Sequence, residues 1–411
     1  MWYKNMKNKK KLENQLILLC WLVYTCSYIG RLSYNSNINQ IGNEFNLTYG
    51  QTGLVTTFFF FAYGIGQVVN GFLCKKYNTK IVIFLSLISS SILNFLLVIS
   101  KNVELFKYIW LLNGVSMSFL WTSLIKLLSE TISKEKIGKA IVTMGTTVAI
   151  GTFLVYSLSA LFVATLNYKF TFYVASIILL IVSVIWIFNY NRLVIPLKEE
   201  VRIKEETNSN INKDKISSLG MLVVVLAIFA VANNLIKDGL TVWTPDILDS
   251  LYDTPSWLSI LLTLCLPILA VFGTALAVNL HKKIKDFISL STLLYASSII
   301  LLVIVMVFIK MDAVVVTIIC FAFTSCLMAG VNNIITSMVP LEMKDKINSG
   351  KLAGILNGFC YLGSTLSAYG LGKIADLFGW SSVFTTLLIV LIVITIIGII
   401  FISFKRKKCY N

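Results

Sequence analysis

The sequence predicts an all-α membrane protein with twelve transmembrane helices in two six-helix bundles, and three observations support this fold class. Of the 411 residues, 57% are hydrophobic and only 13% are charged, which is more apolar surface than a water-soluble domain can bury. Apolar runs of about 18 or more residues recur along the whole chain. A polar, charge-rich segment separates them into two sets of six. Barrel strands would be shorter and would alternate in polarity, so a helical bundle is preferred.

Twelve apolar segments, each bounded by a short polar stretch, define the predicted helices. They are residues 16–40, 52–74, 80–100, 104–131, 138–165, 168–190, 219–248, 255–280, 285–309, 313–340, 350–372 and 380–404. The first is longer than the apolar part of a signal peptide, and no small-residue cleavage site follows it. We therefore expect it to remain as the first helix.

Lysine and arginine fall mainly in the two tails, the central polar segment and every second loop between. By the positive-inside rule, both termini are predicted to be cytoplasmic, in the inner (cell) membrane if the source is bacterial. The net charge of +16 then reflects topology and attraction to anionic lipid. Basic and aromatic residues do not interleave outside the apolar segments, so we do not expect nucleic-acid binding.

The chain divides into residues 1–190 and 219–411, joined by a cytoplasmic linker at 191–218 that we expect to be flexible. A weak internal repeat supports this division. Gly138-Lys139, Gly151 and Phe172 recur at a constant offset as Gly350-Lys351, Gly363 and Phe384. Duplicated halves predict a binding site at the bilayer midplane between them, with alternating access by rocking of one half on the other.

Two cations lie at matching depths of corresponding segments, Arg31 in the first and Lys237 in the seventh. A full charge at bilayer depth costs at least about 2.5–3.5 kcal/mol, so both are candidates for binding an anionic solute. The alternative is a fixed ion pair, for example between Arg31 and Asp238, or an arginine that reaches toward the membrane surface. Asp238 lies about 100° round the helix from Lys237, so we do not expect these neighbours to pair. Asp238 is instead a candidate for coupling or gating.

Several motifs, in order along the chain, resemble the organophosphate:phosphate antiporter branch of the major facilitator superfamily. They are Tyr24, Tyr28 and Arg31 in the first segment, Tyr63-Gly64 in the second, Lys237 with Trp243-Thr244-Pro245 in the seventh, and Tyr361-Leu362-Gly363 with Asp376-Leu377-Phe378-Gly379-Trp380 in and after the eleventh. The resemblance covers nearly the whole chain outside the linker. It implies the twelve-helix fold and a substrate site that contains Arg31 and Lys237.

Departures from that branch make the cavity less positive. Gln67 and Ala149 stand where its glycerol-phosphate members carry a lysine and a histidine, and Lys75 replaces an aspartate of the superfamily signature. Lys237 stands in place of an arginine, which keeps the charge but loses the planar fork that binds phosphate through two hydrogen bonds.

The remaining candidates lie near these cations. Tyr24, Tyr28 and Arg31 share one helical stripe, where phenol donors beside a guanidinium suit an oxyanion. Tyr63 and Gln67 form a second pair one turn apart, which is also compatible with ordinary bonding between helices. Lys126 is a gating candidate, although Glu130 four residues later favours a structural ion pair.

The sequence therefore predicts a secondary transporter of a small anionic metabolite, with a sugar phosphate exchanged for inorganic phosphate as the specific hypothesis. Two alternatives remain open: a proton-coupled carrier of a carboxylate, sugar or drug that uses Asp238, and a transporter-like membrane sensor of a phosphorylated metabolite. We expect no enzymatic activity, because the sequence has no nucleophile with an adjacent base and no phosphate-binding glycine loop. No cofactor and no metal site are predicted, and a monomer is expected.

Overall fold

The computed structural model describes residues 2–73, 77–202, 220–343 and 349–410, and this part of the chain is helical with short connections. Its helices are α1 (Trp2–Leu32), α2 (Ile38–Phe45), α3 (Tyr49–Leu73), α4 (Thr79–Ile99), α5 (Val103–Ser118), α6 (Leu120–Thr131), α7 (Lys134–Thr165), α8 (Lys169–Arg202), α9 (Gly220–Tyr252), α10 (Ser256–Thr263), α11 (Cys265–His281), α12 (Phe287–Phe308), α13 (Val314–Asn333), α14 (Val339–Glu342), α15 (Ser349–Phe378) and α16 (Trp380–Tyr410). The predicted all-α membrane fold is confirmed.

Each predicted span corresponds to one helix or to two consecutive helices. Within the described residues, eleven spans are long and apolar enough to cross a bilayer. The twelfth long helix is α15, which has 30 residues but is rich in glycine and serine. It packs mainly against α3 and α9, and its Gly358, Gly363 and Gly372 lie at these helix contacts.

The first predicted span, residues 16–40, is not a single helix. α1 ends at Leu32, one residue past Arg31, and a 3₁₀ turn at Asn35–Asn37 leads into α2. Buried polar side chains bond the backbone at this break: the Asn37 amide donates to the Ser33 carbonyl at 2.8 Å. Ser159 of α7 in turn donates to the Asn37 side chain at 2.6 Å. The break falls at the polar stretch of residues 33–37, which the predicted span had absorbed into one helix.

Other spans are also interrupted. The fourth breaks at Phe119 between α5 and α6, and the eighth at Leu264 between α10 and α11. In the tenth, a π-helical turn at Ile334–Met338 joins α13 to α14 just before Pro340. Proline has no backbone N–H to donate, and local widening of a helix is one way to accommodate that loss.

The predicted linker is partly wrong. α8 continues to Arg202, so residues 191–202 are helical rather than flexible. The cause is that the apolar pattern persists past residue 190: Leu193, Val194 and Leu197 are all buried. Residues 203–218 of the linker lie outside the described residues, and the division into bundles 1–190 and 219–411 stays a prediction. Below, "N-terminal half" means residues 2–202 and "C-terminal half" means residues 220–410.

The two halves meet most closely along α3 and α15. A Cβ placed on Gly53 would lie only 2.2 Å from the carbonyl oxygen of Ala368. A Cβ on Gly64 would lie 2.7 Å from Cβ of Tyr361. Glycine at these two places therefore lets the helices approach to backbone contact, which suits surfaces that slide past one another.

Hydrogen bonds tie the halves together at one end of the bundle. The N–H groups of Tyr49 and Gly50, at the start of α3, each donate to the Asp376 carboxylate near the end of α15 at 2.8 Å. In the described part of the chain, the hydrogen bonds between the halves run from Arg31 toward this end. We call it the outer end; it is the end where α1 finishes and α3 begins. The structure is therefore closed at its outer end.

Candidate functional site

The end of α1 is held in place by buried amides of two neighbouring helices. The Gly30 carbonyl accepts hydrogen bonds from the side chains of Asn94 on α4 at 3.1 Å and Asn113 on α5 at 3.0 Å. Both asparagines are fully buried. These bonds satisfy a carbonyl of the last helical turn, which has no partner further along the helix. They fix the backbone beside Arg31.

The Arg31 side chain lies among aromatic rings and is only 6% exposed. Its Cζ is 4.2 Å from the ring centroid of Tyr63 and 4.6 Å from that of Tyr28, both within cation–π range. None of the ion pairs in the described residues includes Arg31, and its Nε has no hydrogen-bond partner there. A guanidinium cannot lose its proton at working pH, so Arg31 is a buried permanent charge without a carboxylate partner among the described residues.

Two phenols, one from each half, contact the guanidinium. Arg31 Nη1 donates to the Tyr63 hydroxyl at 3.2 Å, and Nη2 donates to the Tyr361 hydroxyl of α15 at 3.5 Å. Gln67 Nε2 also donates to the Tyr63 hydroxyl at 2.9 Å and to the Ser118 carbonyl at 3.0 Å. The Tyr63 oxygen thus accepts twice and keeps its own proton to donate. Arginine and phenol donors converge on one place, which suits an oxyanion.

The other tyrosines of α1 support this arrangement differently. Tyr28 packs against Gly151 of α7, where a Cβ would lie 2.5 Å from the Tyr28 Cβ. Tyr24 is 4% exposed, and its ring centroid is 5.5 Å from that of Tyr28 and 4.9 Å from that of Trp121. Tyr28 therefore lies next to the guanidinium, whereas Tyr24 packs behind Tyr28.

Lys237 on α9 has a carboxylate partner. Its Nζ lies 3.3 Å from Oδ1 of Asp238. Oδ2 of Asp238 accepts a hydrogen bond from Ser364 Oγ at 2.5 Å and one from Asn234 Nδ2 at 3.1 Å. Both oxygens of this carboxylate are thus engaged within the C-terminal half.

Two expectations about Asp238 are therefore corrected. Lys237 and Asp238 do pair, because the flexible lysine chain spans the angle between adjacent positions on the helix. Asp238 is bound to Lys237 rather than to Arg31. Arg31 and Lys237 both act electrostatically on the Tyr28 phenol, so the two cations lie near the same side chain.

Lys126 lies on α6 and forms the expected ion pair, with its Nζ 3.9 Å from Glu130 Oε1. Its Nζ is also 5.6 Å from the ring centroid of Tyr77. The structure thus places Lys126 beside Glu130 and Tyr77 in the N-terminal half, and its gating role stays a prediction.

Sequence reasoning missed three residues of the site as candidates: Tyr361, Ser364 and Asn234. The first two lie one turn apart on α15, facing Arg31 and Asp238. Asn234 precedes Asp238 by one turn on α9. Tyr361 was part of a recognised motif, but only the packing of α15 on α3 shows that it reaches Arg31. A polar residue one turn before a membrane-buried carboxylate is a signal that a sequence search can use.

A bundle of membrane-spanning helices, closed at one end around a buried cation that both halves contact, defines a class: the secondary transporters. The comparisons name the family. The family model of the Major Facilitator Superfamily matches residues 20–349, and the chain belongs to that superfamily.

Relatives narrow the family further. The chain is 21% identical over 402 residues to the probable hexose phosphate transport protein of Chlamydia pneumoniae, covering 89% of this chain and 86% of that protein. The corresponding protein of Chlamydia trachomatis is 21% identical over 418 residues, covering 93% and 89%. The membrane sensor protein UhpC of Escherichia coli is 28% identical over 102 residues, which cover 25% of this chain and 23% of that protein. The matches to UhpC proteins thus span about a quarter of their length. These names agree with the resemblance to the organophosphate:phosphate antiporter branch.

Solved transporters share the fold. A bacterial homolog to the human lysosomal transporter Spinster, in an inward-facing and occupied conformation, superposes with a TM-score of 0.72 at 13% identity, covering 94% of this chain and 96% of that one. The D-xylose-proton symporter gives 0.72 at 11% identity, covering 93% and 96%. At these identities the similarity establishes the fold alone.

Proposed function

We propose that this secondary transporter carries a small organic phosphate, a sugar phosphate in particular, and exchanges it for inorganic phosphate. The observation that carries the proposal is Arg31, a buried guanidinium that touches phenols of both halves and has no carboxylate partner among the described residues. The named hexose phosphate transport proteins of Chlamydia support the substrate class. A planar guanidinium suits phosphate because it offers two parallel N–H donors.

In this mechanism the anion itself draws the halves together. A phosphate on Arg31 accepts further bonds from the hydroxyls of Tyr63 in the N-terminal half and Tyr361 in the C-terminal half. It also attracts the ammonium group of Lys237 away from Asp238. Bonds shared across the interface lower the barrier to rocking, whereas the empty carrier keeps an unneutralised charge in a closing cavity. Because the two halves rock when substrate is bound and stay in place when the carrier is empty, transport is obligatory exchange.

Other residues adjust this site. Gln67 orients the Tyr63 hydroxyl, Tyr24 supports the Tyr28 ring, and Asp238 holds Lys237 in the absence of substrate. The carrier works without a catalytic step or cofactor, as a monomer in a bacterial inner membrane with both termini cytoplasmic.

The first test is uptake of radiolabelled phosphate into proteoliposomes that contain the purified protein. Vesicles preloaded with phosphate are compared with vesicles loaded with sulfate, and the wild type with Arg31→Ala. We expect uptake that needs internal phosphate and is lost in the variant. Absence of exchange by correctly folded wild type, judged by gel filtration and thermal unfolding, rejects phosphate antiport.

The sensor alternative is kept because the chain resembles UhpC over part of its length. A sensor would bind a sugar phosphate at Arg31 without moving it across the membrane. Equilibrium binding of hexose phosphate, measured beside counterflow, separates the two: binding without counterflow favours the sensor. A proton-coupled carrier that uses Asp238 has less support, since both oxygens of that carboxylate are already engaged.

A further inference from the structure

A second polar cluster joins the halves at the outer end, away from Arg31. Asp246 and Asp249 lie one turn apart on α9, and Asn39 lies on α2. Asn39 Nδ2 donates to Asp246 Oδ1 at 3.1 Å and to Asp249 Oδ2 at 2.8 Å. Two carboxylates of the C-terminal half thus share the single amide nitrogen of one side chain from the N-terminal half. The two acceptor oxygens, Asp246 Oδ1 and Asp249 Oδ2, are therefore separated by no more than the sum of these two hydrogen-bond lengths.

The burial of Asp246 makes this arrangement unusual. Its side chain is 2% exposed, and Oδ2 has no hydrogen-bond partner among the described residues. The ion pairs described for this chain include neither aspartate. An ionised carboxylate in such a place lacks both water and a counter-charge.

The neighbouring titratable groups do not supply that charge. The groups that interact electrostatically with Asp246 are Asp249 on its own helix, the Tyr34 phenol beside α2 and the Tyr156 phenol on α7. Tyr34 donates its proton to the Thr52 carbonyl at 3.1 Å. Tyr156 donates to the Thr241 carbonyl at 3.4 Å.

Other charges nearby are engaged as well. On α15, which also packs against α9, the Asp376 carboxylate is bound to the start of α3. No lysine, arginine or histidine of the described part forms an ion pair with Asp246.

We propose that Asp246 binds a proton when the outer end closes, and that Asp246, Asp249 and Asn39 together form a proton-operated latch between the halves. The proton adds to Oδ2 of Asp246 and leaves Oδ1 to accept from Asn39. It removes the repulsion between two adjacent carboxylates that share the Asn39 amide as donor. Asp249, which is less buried, remains bound to the same amide.

Opening of the outer end reverses this step. Separation of α2 from α9 exposes both carboxylates to water, and the proton returns to the solution on that side. Because the closed state binds one more proton than the open state, acid outside stabilises closure and the stabilisation is lost as the outside pH rises. This inference rests on alternating access in the superfamily and not on phosphate as substrate.

The test is a distance measurement across the outer end that needs no transport substrate. Leu166 and Met311 lie in loops at that end, one in each half, and are 63% and 67% exposed. Spin labels at Leu166→Cys and Met311→Cys, on the full chain with its eight native cysteines replaced, report the open and closed populations by pulsed electron–electron resonance. The protein is reconstituted in lipid nanodiscs and measured from pH 5 to pH 9.

We expect the short, closed distance to dominate at low pH and the long distance to gain population as pH rises. Asp246→Asn, which has the shape of a protonated aspartate, should keep the closed distance at every pH. Asp249→Asn removes the repulsion from a neighbouring negative charge and so eases ionisation of Asp246. We therefore expect it to move the transition to lower pH. Glu104→Gln, an exposed carboxylate at the same end, is the matched control and should leave the transition unchanged.

The proposal is overturned if Asp246→Asn keeps the wild-type transition, or if the distances of the wild type do not respond to pH. It is also overturned if the populations follow sodium rather than pH when sodium chloride replaces potassium chloride, because the site would then bind a metal cation. Should Asp246→Asn fail to fold, the direction of the Asp249→Asn shift decides, since a purely structural role predicts none.

Discussion

Arg31 and Lys237 occupy corresponding helices of the two halves, yet their surroundings are opposite. Arg31 is bound by phenols and has no carboxylate partner in the described residues. Lys237 is held by Asp238, which Ser364 and Asn234 fix in turn. The N-terminal half thus offers a permanent free charge, and the C-terminal half offers one that must first leave its partner.

Under the proposed function, this difference gives the two cations different tasks. A permanent charge attracts an anion at all times, so Arg31, which has no carboxylate partner among the described residues, is suited to initial binding. A charge held by a neighbouring carboxylate responds only when a competing anion comes close, so Lys237 is suited to report that the site is filled. Pseudo-symmetry in sequence therefore need not mean symmetry in function.

The comparison fails most plainly if Arg31 proves dispensable. Arg31→Ala removes a desolvated, charge-assisted contact, for which losses of about 2–5 kcal/mol are typical, so we expect phosphate affinity to fall at least ~30-fold. Arg31→Lys should lose most of this too, since an ammonium group lacks the planar fork. Equilibrium binding of phosphate measures the effect, with the exposed Arg192→Lys as control. Affinity within threefold of wild type in Arg31→Ala contradicts the assignment.

Lys237 and Asp238 should respond in opposite directions. Lys237→Gln removes the reporting charge, and we expect about 10-fold weaker binding of phosphate. Asp238→Asn releases Lys237, so phosphate binding should become tighter by a few fold. Exchange should become slower, because the Asp238 carboxylate no longer competes with the bound anion for Lys237 and so no longer promotes its release. The same binding assay, run beside exchange rates, tests both. Weaker binding in Asp238→Asn would mean that the carboxylate positions Lys237 instead of competing for it.

The two phenols that touch Arg31 separate binding from movement. Tyr63→Phe and Tyr361→Phe each delete one hydroxyl, for which a net hydrogen bond of about 0.5–1.5 kcal/mol predicts a ~2- to 12-fold effect. Since Tyr361 belongs to the opposite half, its loss should reduce the maximal exchange rate more than affinity. Tyr63→Phe should do the reverse. Equal effects on both constants would remove the distinction between the halves at this site.

Much of this site follows from the sequence, because helical periodicity fixes which side chains share a face. The spacing of Tyr28 and Arg31, and that of Tyr63 and Gln67, predicted the contacts within each helix. The number of long helices was equally clear, since each apolar run is long enough to span a bilayer.

What periodicity could not supply is contact between distant segments and the breaks inside the predicted spans. Tyr361 reaches Arg31 only because glycines let α3 and α15 touch. The partner of Asp238 depended on the reach of a flexible lysine chain, which an angular argument ignores. The contact between Asn39 and Asp246 depends on α2, which follows a break that the sequence did not predict.

The smallest expected effect concerns an ion pair at the outer end with no role in binding. Burial raises the pKa of Glu44, but hydrogen bonds from Lys169 and Tyr168 outweigh it and hold the pKa below its ordinary value. Its stabilisation is therefore full at neutral pH and is lost as pH falls below about 4.3. Both charged side chains are about one-third exposed, so water screens the pair, and we expect Glu44→Gln to lower the melting temperature by only about 1 °C at pH 7. Thermal unfolding in detergent should show that the difference in melting temperature between wild type and Glu44→Gln closes toward pH 4, while phosphate binding at pH 7 is unaffected. A difference that widens in acid would contradict the sign of the pKa shift. Weakened phosphate binding would mean that a neutralised surface pair can act on the site as Lys237 and Asp238 do.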